Sequence, residues 1–311
     1  MRKITIVGAG RVGESAAQIV AKEELCRELV LLDKDAGVPQ GVALDIQESA
    51  SLLRFDTRVS GDTDPAAMSD SDLVIITAGF PRKPGMSRSD VLGANLEIID
   101  SIVDNVLEYA GDAMIMMVTN PVDVLTWRVW SRTGWPRRRV FGQSGALDTA
   151  RMTAFIALET GYSVKDISSL VLGGHGDAMV PLPRFTDISG INIEHFLDRK
   201  KIEEIAQRTR RGGGEILALK QHSSAYDSPA AAIAAMVDAI GHDRRRILPC
   251  VAVLDGEYGQ QDIAMGVPAV LDESGLVEVI ELNLDASEQQ QFQASAALVR
   301  RDIASLPQAA A

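Results

Sequence analysis

Six residues near the start, Gly8-Ala9-Gly10-Arg11-Val12-Gly13, constrain this 311-residue chain more than any other feature. They follow ITIVG (4–8), a short β-branched run, and open a stretch from Glu14 to Glu24 with helical periodicity. On its own a GxGxxG pattern is weak. Between a buried strand and a helix, its glycines allow a tight turn and a close approach of backbone to a ligand. The next apolar run, LVLLD (29–33), ends on Asp33, 20 residues after Gly13. A carboxylate there can accept hydrogen bonds from an adenosine ribose, while the helix N-terminus favours the charge of a pyrophosphate. Gly8, Gly10, Arg11, Val12, Gly13 and Asp33 are therefore candidate cofactor-binding residues. Asp33 would repel the additional phosphate of NADP, so NAD is the expected cofactor. The competing reading is a tight turn in some other α/β protein.

The pattern that follows supports a sheet. DLVIITAG (72–79) and MIMMVTNP (114–121) are further continuous apolar strands, and VFGQSG (140–145) is expected to close the sheet. Continuous apolar strands alternating with helices mark a parallel sheet covered on both faces. Between the first two, residues 96, 98, 99, 102, 103, 106 and 107 form the apolar stripe of a helix over 95–110. Ligands of such sheets gather at the carboxyl ends of strands, which brings in Thr77, Ala78, Gly79 and Asn120.

After residue 145 the texture changes. A helix is expected from Asp148 to about Thr160, then short strands around the glycine turn in VLGGHGDAMV (171–180). Helical patterns run from Lys200 to Gln221 and from Pro229 to Ala239. An antiparallel hairpin set and a helix over 287–304 complete the chain, with PQAAA as a frayed tail. The expected fold is α/β: a Rossmann doubly wound parallel sheet over 1–145, followed by an α+β domain over 146–311 for substrate and catalysis.

Composition limits the partners. A net charge of −12 argues against nucleic acid or anionic membranes. No run approaches the length of a membrane span, and the basic N-terminus loses its apolar run at Gly8 too early for a signal peptide. Cys26 and Cys250 show neither disulfide nor metal spacing. A cytoplasmic protein without a metal site is expected. Only 8 of its 31 basic residues are Lys, which suits either a salt-rich habitat or a GC-rich genome.

His175 stands between glycines in a chain with four histidines. Asp148 and Arg151 lie three apart at a helix start and share a face. Alone they could be a surface ion pair or a charge complementing the helix dipole. GFPRKPGMSRSD (79–90) places Arg82 and Arg88 in a proline- and glycine-rich loop with the composition of a lid over an anion. His195 reads as structural, and His222 and His242 have no strand-end or carboxylate context. RRGGG (210–214) suggests a helix kink.

Taken in order, GxGxxG, Asp33, the two-arginine lid, TNP, D-x-x-R and HGD resemble the lactate/malate dehydrogenase family over the whole chain. The likeness is closest to malate-type members that look like lactate enzymes in sequence. It implies His175 as proton donor and acceptor, Asp148 as its partner and Arg151 as the clamp on the substrate C1 carboxylate. Arg88 resembles the lid arginine that polarises the C2 oxygen. Arg82 stands where malate enzymes carry arginine and lactate enzymes typically glutamine. The resemblance also implies substrate contact by Asn120 and cofactor contacts by Thr77, Ala78, Gly79, Asn95, Val118 and Asn120. It implies a homo-oligomer, a tetramer more than a dimer, acting on a small 2-hydroxy acid. One departure is visible in HSSAYDSPAAA (222–232), where Asp227 replaces an aromatic residue and Ala225 still suits a pocket wall. The alternatives are a dehydrogenase for lactate or another 2-hydroxy acid, distinguished by Arg82, and a non-catalytic NAD-binding redox sensor.

Overall fold

The computed structural model describes residues 1–80 and 88–307, with the backbone alone for 88–90. The candidate Arg82 lies outside the described residues, as do the Arg88 side chain and the end of the PQAAA tail.

Six strands form the parallel half of the main sheet: β1 (Lys3–Val7), β2 (Glu28–Leu32), β3 (Arg58–Asp62), β4 (Leu73–Ile76), β5 (Met114–Met117) and β6 (Val140–Gly142). Their spatial order is β3-β2-β1-β4-β5-β6, with Ile4 paired to Leu29 on one side and Leu73 on the other. The order reverses beside β1, which opens a crevice at the carboxyl ends of β1 and β4. Helices α1 (Arg11–Lys22), α2 (Val38–Leu53), α3 (Arg88–Tyr109) and α4 (Val122–Thr133) cover it. Strand side chains alternate between the two faces: Ile4, Ile6, Leu73 and Ile75 pack with Ala16, Ala17 and Val20 of α1. Val7, Val74 and Ile76 pack on the opposite side with Ile99 and Val103 of α3 and Leu125 of α4. Burial on both faces is why these strands read as unbroken apolar runs.

The second half comprises α5 (Gly145–Thr160), β7 (Ile167–Ser168), β8 (Val171–Gly173), β9 (Met179–Pro181), β10 (Asp187–Ile188), β11 (Ile191–Asn192), α6 (Arg199–Lys220) and α7 (Asp227–Gly241). It ends with β12 (Arg246–Asp255), β13 (Gln261–Asp272), β14 (Gly275–Val279) and α8 (Ala286–Ala304). The antiparallel set is β12, β13 and β14, and a separate small sheet has the order β11-β10-β7.

Four expectations need correction. VFGQSG does not close the sheet: β6 pairs β12 antiparallel at Gly142 and Val251, and the sheet continues through β13 to β8 and β9. α1 begins at Arg11 rather than Glu14, because Gly10 already takes the extended N-cap conformation. The described part of α3 runs from Arg88, eight residues ahead of Leu96, where the apolar stripe starts. α6 runs as one unbroken helix through Gly212–Gly214, so RRGGG is not a break.

Candidate active site

The glycine turn has little freedom to vary. Gly8 has φ +108°, and a Cβ there would stand 2.5 Å from the Ala78 nitrogen. A Cβ on Gly13 would stand 1.9 Å from the Gly8 carbonyl oxygen. Among the described residues nothing lies within 4 Å of a Cβ at Gly10, and no side chain caps the start of α1. Its first N–H groups thus have no side-chain partner at the N-cap, which fits a pyrophosphate. The Ala9 N–H donates to Asp33 Oδ2 at 2.8 Å, holding the half-buried carboxylate at the end of β2. Val12 packs against the core, while the exposed Arg11 sits 5.7 Å from the centroid of the Tyr226 ring. These residues fit a dinucleotide bound at the crevice.

From that turn a run of hydrogen bonds crosses the strand ends. Thr77 Oγ1 donates to the Gly8 carbonyl at 3.0 Å, and Thr119 Oγ1 donates to the Ala78 carbonyl at 2.6 Å. Gly79 lies against Thr119, where a Cβ would stand 2.4 Å from Cγ2. Asn95, 1% exposed, accepts from the Phe80 N–H and donates to the Asn120 carbonyl at 2.8 Å. Its amide is committed to the backbone of two loops, so it shapes the rim of the crevice. Val118 is half-buried, and Asn120 is exposed at the rim.

Three residues after Asn120, Asp123 lies fully buried in the first turn of α4 and accepts the His175 N–H at 2.8 Å. The preceding Gly174 N–H donates to Ser295 Oγ at 2.9 Å, from α8. Two consecutive N–H groups of the turn are thus held by two separate helices. Gly173 and Gly174 are needed there: their Cβ atoms would stand 2.8 Å from Ser295 Oγ and 2.9 Å from Val299 Cγ2. α8 itself is fixed by a capping box between Asp285 and Glu288.

The ring of His175 is 19% exposed, and its Nδ1 lies 2.8 Å from Asp148 Oδ2. A carboxylate accepts only, so Nδ1 carries hydrogen and Nε2 takes no part in that bond. Asp148, 3% exposed, comes from the first turn of α5, where Gly145 permits close packing on Pro249. Its other oxygen accepts from Arg151 Nη1 at 3.0 Å, and Arg151 is itself 9% exposed. Desolvation works against the imidazolium of His175. The Asp148 charge and hydrogen bond, helped by Asp123, outweigh it together with the opposing Arg151 charge, and the His175 pKa is raised above its ordinary value. The pair can take and return a proton, and the guanidinium can grip an anion beside it.

The structure brings together His175, Asp148 and Arg151, and strings Gly8, Thr77, Ala78, Asn95 and Asn120 along the adjoining edge. Asp123 and Ser295 were not read from the sequence. A lone carboxylate among the apolar residues of VDVL was a usable signal for Asp123, whereas a serine in the last helix gave none. His195 and His222 are exposed, but His242 does have a carboxylate partner, Asp238 Oδ1 at 2.9 Å one turn earlier on α7. Asp227 raises no packing problem: it is exposed at the start of α7, 3.7 Å from Lys220. Ala225 is half-buried just before it.

Comparison with known proteins covers nearly the whole chain. Residues 2–142 match the lactate/malate dehydrogenase NAD binding domain, and residues 145–308 match the lactate/malate dehydrogenase alpha/beta C-terminal domain. A malate dehydrogenase of Nitrosococcus oceani is 63% identical over 309 residues, covering 99% of each chain. One from Thioalkalivibrio sulfidiphilus is 62% identical over 303 residues, covering 97% of this chain and 99% of its own. The solved malate dehydrogenase of Salinibacter ruber superposes with a TM-score of 0.93 at 45% identity, over 97% of this chain and 96% of that one.

Proposed function

The chain belongs to the lactate/malate dehydrogenase family, and from that premise we propose that it interconverts (S)-malate and oxaloacetate with NAD as its cofactor. The observation that carries the reading is the Asp148-centred pair, with His175 on one carboxylate oxygen and Arg151 on the other. When bound, NAD supplies the hydride acceptor for malate oxidation. His175 Nε2 takes the hydroxyl proton, and Asp148 fixes the tautomer and stabilises the imidazolium that forms. Arg151 grips the C1 carboxylate and sets C2 in place. Asn120 adds a hydrogen bond from the rim. Arg88 polarises the C2 oxygen and Arg82 meets the second carboxylate of a dicarboxylic substrate, both by the family resemblance. Nucleotide binding is assigned to 1–145 and substrate chemistry to 146–311.

One grid of initial rates tests this reading: oxaloacetate against pyruvate, each with NADH and with NADPH. Oxaloacetate with NADH is expected to lead on both axes. The half-buried Asp33, already held by Ala9, would face a phosphate dianion in NADPH. Arg82→Gln should narrow the oxaloacetate preference by roughly 30-fold, about 2 kcal/mol of lost charge pairing. Equal rates with the two 2-oxo acids would favour the broader 2-hydroxy-acid reading. Equal rates with the two cofactors would remove Asp33 from the ribose.

A second expectation concerns pH. Oxaloacetate reduction needs His175 protonated, so its raised pKa keeps that direction active to higher pH than an ordinary histidine would. Asp123→Asn keeps an acceptor for the His175 N–H but removes a charge that raises the pKa. The alkaline fall in kcat/KM for oxaloacetate should then move to lower pH, as should the acid limb for malate oxidation. Unmoved limbs in both directions would show that Asp123 only braces the turn.

A cytoplasmic homo-oligomer, tetramer before dimer, is part of the proposal. Exposed Leu44 and Leu52 on α2, and Leu158 on α5, support the association. Two buried free thiols, Cys26 and Cys250, support a reducing compartment.

A further inference from the structure

Three glycines in a row inside a helix need a reason, because glycine is the poorest helix former after proline. α6 carries Gly212, Gly213 and Gly214 without interruption, and the three meet different surroundings. Among the described residues Gly214 has nothing within 4 Å of a built Cβ, and it lines an open depression along the outer side of α6 with Glu203, Arg208 and Glu215. Gly213 would bring a Cβ to 4.0 Å from Arg151 Nη2, an ordinary contact. Gly212 is buried on the inner side with Ile205 and Thr209, where a Cβ would stand 2.2 Å from Arg151 Cδ, 2.7 Å from Nε and 3.2 Å from Cγ. The glycine that matters touches the stem of the arginine whose tip bonds Asp148.

We propose that Gly212 is the positioning residue for Arg151, its missing side chain letting α6 lie against the arginine stem and fix where the guanidinium meets the substrate carboxylate. The inference rests on the reading of Arg151 as the carboxylate clamp. Arg151 is held at two places: its stem by the α6 backbone and its Nη1 by Asp148 Oδ1 at 3.0 Å. Those two constraints leave the planar fork little freedom to turn, and a bidentate grip requires its orientation. A methyl group on Gly212 cannot be accepted without movement at such distances. The arginine stem is softer than a helix packed on its neighbour, so the stem yields and the fork turns away from its place. Substrate affinity then suffers while the fold and the nucleotide site, on other elements, remain.

The test uses the full-length enzyme with Gly212→Ala, Gly214→Ala, Arg151→Gln and the Gly212→Ala/Arg151→Gln double variant. Steady-state rates with oxaloacetate and NADH are measured beside NADH binding by fluorescence. Gly212→Ala should raise KM for oxaloacetate about tenfold to 100-fold, the effect of a misplaced positioning group, and change kcat less. NADH affinity should stay within about twofold, and Gly214→Ala should match the parent, since no described residue crowds it. In the Arg151→Gln background Gly212→Ala should add almost nothing, because the guanidinium whose placement it disturbs is gone. A silent Gly212→Ala beside a damaging Arg151→Gln overturns the inference and spares the clamp. A harmless Arg151→Gln overturns the clamp reading itself. A Gly212→Ala chain that fails to bind NADH, or whose defect persists in full without Arg151, makes Gly212 a residue of the fold and overturns the inference.

Discussion

Replacing His175 with asparagine is expected to lower kcat by roughly 10²–10⁴-fold, the usual contribution of one positioned acid–base group. Asparagine can still bond Asp148 from the same place, but it has no titrating nitrogen to carry the substrate proton. NADH binding should be nearly intact, because the glycine turn and Asp33 sit on β1, α1 and β2, away from β8 and β9. The same experiment on Asp148→Asn separates two roles. An amide there can donate to Nδ1, which would put the proton on the wrong ring nitrogen, and it no longer balances the imidazolium. It also leaves the Arg151 guanidinium without its carboxylate partner. In kcat the double variant His175→Asn/Asp148→Asn should be little worse than His175→Asn alone, as expected for residues that act as a unit, while the loss of the Arg151 partner adds to KM. Turnover within a few-fold of the parent in His175→Asn would make VLGGHGDAMV an ordinary loop.

Arg151→Gln should lower kcat/KM by roughly 10²–10³-fold for oxaloacetate and pyruvate alike. Removing one partner of a desolvated charge pair costs about 2–5 kcal/mol, or roughly 30- to 5,000-fold. Arg151 is nearly buried, so solvent does little to replace it. Both substrates carry the C1 carboxylate, so their ratio should hold while both absolute values fall. That outcome distinguishes Arg151 from Arg82, whose replacement should change the ratio. Losing oxaloacetate activity while pyruvate activity survives would exchange the two assignments. A loss confined to kcat with KM unchanged would make Arg151 a partner of Asp148 rather than a clamp.

How legible each feature was depends on the range of the forces behind it. The glycine turn is local: strand, turn, helix N-terminus and Asp33 fall within 33 residues, and each constraint is visible as a residue type at a spacing. The apolar strands were legible because burial on two faces leaves an unbroken run. β3, RVSGD, was not, since it is an edge strand with few apolar side chains and leaves no such trace. The join between β6 and β12 was also hidden, because a ladder between residues 142 and 251 depends on no local pattern.

Residue type and spacing were enough to single out the groups proposed for binding and chemistry, and their order along the chain: Asp33, Asp148, Arg151 and His175. Residue identity decides what can accept, donate or titrate, and that information is local. How those groups are held depends on contacts far apart in the chain. The imidazole of His175 meets Asp148 across 27 positions, its backbone is pinned by Asp123 from 52 positions away, and the neighbouring Gly174 by Ser295 from 121 away. The GGG of α6, read from sequence as a kink, became a bed for the Arg151 stem only once two helices were packed. Close approach leaves glycine in the sequence, but the atom that makes the approach comes from elsewhere in the chain, and only the fold names it.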